Sequence, residues 1–347
     1  MPQQTRTRRQ NSVTLNTFST KTVTQLGRGM IYREIYLRFY GTFTYAAAAN
    51  NAVATLGRGD EWSAIARIDL VVNGTDIIRS FTGTQLVMFN RFMYGTYCRP
   101  SVQLGDAATA GPAFDSTLIL PLWQPLSAKP MDTALDSSKV SDLRLEITTN
   151  SSANINSANG PTAIAATLDV TSYESFGVEL EASDCRMYAL QSTLAAANPN
   201  LQIQLPVTCM YRGFLINAAS TASETGTDQV ANITNVKLVS GTTVFRDMPF
   251  VPLRSVHRQR LGFGQDLVQN VAAGPAISNA TQTYLKGRKS GLHDEDAWAF
   301  MNLCEDGYLG ESIDSLGFSE LYLEVSATLA GTITVIPIQI FPRRKAA

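Results

Sequence analysis

Ile65-Ala66-Arg67-Ile68-Asp69-Leu70-Val71-Val72-Asn73-Gly74-Thr75-Asp76-Ile77-Ile78-Arg79 is the stretch on which the fold turns. It reads as a strand that runs into Asn73-Gly74, the dipeptide that closes tight β-hairpins, and returns as a second strand. Behind the hairpin, Leu86, Phe89 and Met93 recur at helical spacing after the possible caps Thr82 and Thr84. The order is strand, turn, strand, short helix.

That order occurs twice. Gly74-Thr75-Asp76-Ile77-Ile78-Arg79 is answered in the second half of the chain by Gly241-Thr242-Thr243-Val244-Phe245-Arg246. Ser141-Asp142-Leu143-Arg144-Leu145-Glu146-Ile147 is answered, at nearly the same spacing, by Ser319-Glu320-Leu321-Tyr322-Leu323-Glu324-Val325. A second helix is expected over about residues 252–261, with Leu253 and Val256 at matching positions and Arg258 following Arg246 as Arg91 follows Arg79. The period is far longer than the roughly 20–50 residues of a solenoid unit, so it marks two similar domains in tandem.

Elsewhere period-2 alternation dominates. Ile35, Leu37 and Phe39 share one face of a strand; Leu201, Ile203, Leu205 and Val207 share another, as do Leu143, Leu145 and Ile147, and Leu321, Leu323 and Val325. Ile333, Val335, Ile336, Ile338 and Ile340 form a closing strand in which Pro337 signals an edge or a bulge. The fold class is all-β, with few helices. Long polar or small-residue stretches separate the strands: 46–55, 105–113, 150–163, 219–231 and 271–283. The boundary between the domains falls near residue 180.

A chain of 347 residues divides comfortably into two such cores, and 44% apolar content fills them. Only 16% of residues are charged, against about 25% in a typical soluble protein. Such a surface suits a subunit whose flanks are covered by neighbours, or a Thr/Ser-rich extracellular β-protein. The net charge of −1 gives no global attraction for nucleic acid. Charge is concentrated locally at the ends, in Arg6, Arg8 and Arg9 and in Arg343, Arg344 and Lys345. Such tails bind phosphates of lipid or nucleic acid, or are simply solvated. The first twenty residues lack an apolar signal stretch, no run approaches a membrane span, and synthesis in a cytoplasm is expected.

No catalytic constellation is present. The two histidines, His257 and His293, stand outside any metal-ligand spacing, and Cys98, Cys185, Cys209 and Cys304 form no Cys-x-x-Cys pair, so buried free thiols are expected. There is no Gly-x-Ser-x-Gly, P-loop or His-Glu-x-x-His, and Gly262-Phe263-Gly264 lacks the third glycine of a dinucleotide loop. Asp294 and Asp296, carboxylates at i and i+2 beside His293, could chelate a hard cation, a weak signal because the glycine and terminal glutamate of a calcium loop are missing. No cofactor is implied.

The repeated hairpin and helix resemble the signature of the double jelly-roll major capsid proteins of tailless, icosahedral, membrane-containing bacterial viruses (bacteriophages), of corticovirus or tectivirus type. Ala297-Trp298-Ala299-Phe300-Met301-Asn302-Leu303-Cys304-Glu305-Asp306-Gly307-Tyr308 is similar to the late strands of the second barrel in that group. The resemblance covers roughly residues 11–342 as a pattern of elements.

It implies two tandem eight-stranded jelly rolls, at 11–180 and 181–347, after a basic arm at 1–10. It further implies a non-enzymatic coat subunit that forms homotrimers of pseudo-hexameric outline. These would tile an icosahedral virion shell beside neighbouring capsomers and minor capsid or vertex proteins, around an inner membrane, with no sequence-specific nucleic acid contact. Arg6, Arg8 and Arg9 would then lie towards membrane or genome. The competing reading is a carbohydrate- or receptor-binding β-sandwich, such as a spike or lectin-like protein. The long loops, rich in Ala, Asn, Ser, Thr and Gly rather than aromatics, favour the coat.

Overall fold

The structure, a computed structural model, describes residues 4–45, 60–94, 113–155, 160–176, 183–220, 233–260 and 297–342. The described residues fall into two compact units. The first holds those up to Trp123 and those from Ala134 to Phe176; the second holds those of 124–133 and those from Ser183 onward.

The first unit contains β1 (Gln4–Arg9), β2 (Val13–Leu15), β3 (Lys21–Gln25), β4 (Ile31–Thr44), β5 (Ile65–Val72), β6 (Asp76–Phe81), helix α1 (Gly83–Tyr94), β7 (Ala113–Pro121), β8 (Leu135–Asp136), β9 (Leu143–Thr149), the single turn α2 (Ser152–Ile155) and β10 (Ala163–Phe176). The second contains β11 (Ser183–Tyr188), β12 (Leu190–Leu194), β13 (Asn198–Gln204), β14 (Met210–Ser220), β15 (Ile233–Ser240), β16 (Thr243–Pro249), helix α3 (Phe250–Arg260), β17 (Trp298–Asn302), β18 (Ile313–Asp314), β19 (Tyr322–Ala327) and β20 (Gly331–Pro342).

The pairings of the first unit recur in the second with every strand number raised by ten. In one, β10 is flanked by β4 and by β1 with β2, and β4 continues to β7 and β8. In the other, β20 is flanked by β14 and by β11 with β12, and β14 continues to β17 and β18. The second sheets are β3-β9-β5-β6 and β13-β19-β15-β16. All these pairs are antiparallel. Counting β1 with β2 and β7 with β8 as interrupted strands, each unit is an eight-stranded jelly roll of two four-stranded sheets.

The cores are the inner faces read from alternation. Ile35, Leu37 and Phe39 are fully buried, as are Leu145 and Ile147, and Phe39 and Phe114 pack with centroids 4.7 Å apart. In the second unit Ile203, Phe214, Ile216, Val236, Leu238, Leu323 and Val325 belong to one apolar cluster. Outward positions of β15 and β19 include Lys237 and Glu324, paired at 3.6 Å. That alternation is expected of an antiparallel sheet wetted on one side.

Two sequence expectations take a different form. Within the basic N-terminal segment, residues 4–9 form a strand, in register with β10 from Gln4 opposite Phe176 to Arg9 opposite Thr171. Arg and Thr alternate there, and the partner strand lies at the far end of the roll in sequence, so no local pattern announces it. Pro337 sits inside the sheet rather than at its edge. Its neighbour on one side changes from β11, which ends opposite Ile338, to β12, which begins opposite Val335. The residue with no N–H thus occupies the gap in the ladder.

Candidate functional site

The repeat is closest at one corner of each roll. Tyr32, at the start of β4, donates its hydroxyl to the Gly27 carbonyl at 2.6 Å; Tyr211, at the start of β14, donates to the Pro206 carbonyl at 2.5 Å. Ser137 donates through its hydroxyl to the Met30 carbonyl at 2.6 Å, and Ser315 to the Cys209 carbonyl at 2.5 Å. The Leu26 N–H reaches the Leu143 carbonyl and the Leu205 N–H the Leu321 carbonyl, each at 2.9 Å. These pins fix the incoming loop, the short strand β8 or β18, and the start of β9 or β19 as one block. Both tyrosines are pushed to high pKa, burial being the largest cause, so they remain donors.

An arginine follows each tyrosine at a β-bulge. Register shifts between Tyr32 and Glu34 leave Arg33 as the extra residue, and a shift between Tyr211 and Gly213 leaves Arg212. A bulge re-aims the side chain that a regular strand would point inward or outward. Arg33 lies 5.1 Å from the ring centroids of both Trp123 and Tyr173 and donates to Ser175 Oγ at 2.6 Å. Arg212 is buried. It donates to the Gly307 carbonyl at 2.9 Å and to Ser127 Oγ at 3.4 Å, holding the 124–133 segment in the second unit. Ala128 N–H reaches the same carbonyl at 2.9 Å.

The arginine of the repeated hairpin closes a strand end. Arg79, fully buried, donates to the Pro121 carbonyl at 2.9 Å. From α1, Asn90 Nδ2 donates to the Ile119 carbonyl and Asn90 Oδ1 accepts from the Ile119 N–H, both at 2.8 Å. One side-chain amide thus satisfies both backbone groups of β7 that a neighbouring strand would otherwise bond. Thr82 and Gln85 form a reciprocal capping box at the helix start, with bonds of 3.1 and 2.9 Å. α1 is buried nearly throughout, whereas α3 leaves Val251 and Val256 exposed.

Buried carboxylates are met by donors. Glu34 accepts from the Tyr94 hydroxyl and Trp123 Nε1, each at 3.0 Å, and from the Tyr36 hydroxyl at 3.1 Å. Glu174 accepts from Arg6 Nε at 2.7 Å and Ser172 Oγ at 2.7 Å. These groups hold strands together.

Of the residues singled out by sequence, Arg6 and Arg9 are paired with Glu174 and Asp169, at 2.7 and 3.4 Å, while Arg8 is exposed beside Gly27. The strand brings the three together, but two of the charges are answered by carboxylates. Asp294, Asp296 and His293 lie outside the described residues, as do most of the long loops. Among the described residues no cluster of His, Cys, Asp or Glu could hold a metal, and no helix is long and apolar enough to cross a membrane. Cys185, Cys209 and Cys304 are buried thiols outside any disulfide, and burial pushes the Cys209 thiol up to about 11. The Tyr-Arg corners were not anticipated. Their signals were present: Met30-Ile31-Tyr32-Arg33 answers Cys209-Met210-Tyr211-Arg212, and Asp136-Ser137 answers Asp314-Ser315, in the same order as the repeated hairpins.

No protein-family profile matches the chain, and no curated protein does. Solved structures do. The chain is similar to the major capsid protein P2 of bacteriophage PM2, at 12% identity and TM-score 0.62, covering 99% of this chain and 100% of that one. It is similar to the STIV (Sulfolobus turreted icosahedral virus) MCP at 11% identity and TM-score 0.67, covering 98% and 97%. A chain of the PBCV-1 virus capsid matches at 9% identity and TM-score 0.57, covering 97% and 93%. At these identities the likeness establishes architecture. The chain has the double jelly-roll fold.

Proposed function

We propose that this protein is the major coat subunit of a virion, a structural protein without enzymatic activity. The observation that carries the reading is the strand-for-strand repetition of one jelly roll within a chain whose whole length matches capsid subunits. Two similar rolls in each of three copies give six similar corners. A homotrimer of this kind has a pseudo-hexagonal outline and tiles a curved shell beside other capsomers and vertex proteins. The low charge of the chain suits lateral contacts built from many modest interactions.

A lipid layer inside the shell belongs to the same reading. With Arg6 and Arg9 paired, β1 offers a lipid phosphate Arg8, which has no carboxylate partner among the described residues, a contact worth about 1 kcal/mol. Light scattering on the purified protein tests the subunit reading: a mass near three times 37.7 kDa, or a far larger assembly, supports it, and a monomer opposes it.

A further inference from the structure

The internal repeat provides a control that a single domain lacks, because the same corner occurs twice with opposite surfaces. In the first unit the turn after β8 is Ser137-Ser138-Lys139-Val140. Arg28 donates to the carbonyls of Val140 and Ser141 at 3.1 and 2.5 Å. Arg8 Nη1 lies 3.0 Å from where a Cβ on Gly27, the residue before Arg28, would stand. Lys139 is paired with Asp136 at 3.1 Å and Arg144 with Asp142 at 3.2 Å. Among the described residues no carboxylate pairs with Arg8 or Arg28, and both are exposed.

In the second unit the matching turn is Ser315-Leu316-Gly317-Phe318. The bases are gone: Val207 stands in place of Arg28, Gly317 of Lys139 and Tyr322 of Arg144. The acids remain, with Asp314 in place of Asp136 and Glu320 of Asp142. Leu316 and Val244 are 53% and 51% exposed, and Phe318 stacks on Phe245 with centroids 5.3 Å apart. Leu316 stands exposed in the turn itself, between Asp314 and Glu320 in sequence.

We propose that this apolar, acidic corner of one copy docks on the basic corner of the first unit in a second copy. Asp314 and Glu320 meet Arg8 and Arg28, and Leu316 fills the space between them. The proposal rests on the coat-subunit reading. Charge complementarity names the occupant: like corners repel, while unlike corners attract and set the register. A contact between different surfaces runs head to tail and closes into a ring when the rotation allows.

The test is a charge exchange read by light scattering at about 150 mM salt. Asp314→Lys with Glu320→Lys, and separately Arg8→Glu with Arg28→Glu, are each expected to weaken self-association at least about tenfold. Combining all four substitutions is expected to restore it. Leu316→Ser, which keeps every charge, is expected to weaken association while leaving the melting temperature of the chain in place. Wild-type assembly by both charge variants overturns the proposal. So does an Arg8→Glu, Arg28→Glu protein that assembles normally but no longer floats with phosphatidylserine vesicles, which would assign the arginines to lipid phosphate. A monomeric wild type overturns the coat-subunit reading itself, and this contact with it.

Discussion

Tyr32 and Tyr211 make one bond in two places: each hydroxyl donates to a backbone carbonyl just upstream, that of Gly27 or Pro206, at 2.6 and 2.5 Å. Around each, a serine from the far loop ties a second carbonyl, and an arginine leaves the next position at a bulge. The rolls therefore share an internal joint as well as a strand order.

Removing either hydroxyl leaves a part-buried carbonyl without its donor. Tyr32→Phe and Tyr211→Phe are each expected to cost about 1–2 kcal/mol, measured by urea unfolding. The two losses should add, because the two hydroxyls share no acceptor. A neutral result at both positions would show that the pins do not contribute.

Alkali should destabilise the first roll. The Tyr36 phenol is pushed up to about 12, by burial first and the Glu34 carboxylate second, and Tyr32 and Tyr94 move in the same direction. An unfolded tyrosine titrates near pH ~10. Between those values the folded state holds more protons than the unfolded state, so stability is intact below about pH 10 and falls as pH rises towards 12. Denaturation midpoints at about pH 8, 10 and 11 check the sign. A flat or rising series contradicts it.

The 124–133 segment depends on Arg212 and Gly307. Arg212→Ala is expected to cost about 2–3 kcal/mol, since a charged donor to the Gly307 carbonyl is lost from a buried site. Gly307→Ala should be at least as damaging: its φ is +82°, and the new Cβ would stand 2.8 Å from the Leu126 carbonyl oxygen. Both variants should expose the segment to limited proteolysis while the first roll stays protected. Equal cleavage of wild type and variants would count against the role.

Asn90 tests how the β7 strand is closed. Asn90→Leu keeps the branching and heavy-atom count of the side chain but leaves both the N–H and the carbonyl of Ile119 without their partner, at a cost of about 2–4 kcal/mol. Asn90→Asp keeps the acceptor for the N–H but places a carboxylate against two carbonyls, so it should be no better. Thermal unfolding of the two variants decides. Stability within about 0.5 kcal/mol of wild type would mean the amide is dispensable.

The hairpin over 65–79 is built as its sequence says. Asn73 and Gly74 both take positive φ, 52° and 84°, and the helix behind them begins at a Thr82-Gln85 capping box. Local chemistry decides such features, and local sequence displays it. The Tyr-Arg corners were harder to see because their partners are backbone carbonyls, which every residue carries, and because a dipeptide recurring once looks like chance. β1 was hidden for another reason. Its pairing with β10 spans the length of the roll, and its exposed face of arginines and threonines lacks an apolar stripe. The opposite charge of the two corners became legible only once the pairings aligned Arg28 with Val207 and Lys139 with Gly317.

The most direct test of the account is electron microscopy of the purified, assembled protein with class averaging of single capsomers. The account predicts a block of three chains with threefold symmetry and six near-equivalent corners. Blocks of any other subunit number, or uniform single chains at concentrations that should favour assembly, would contradict it.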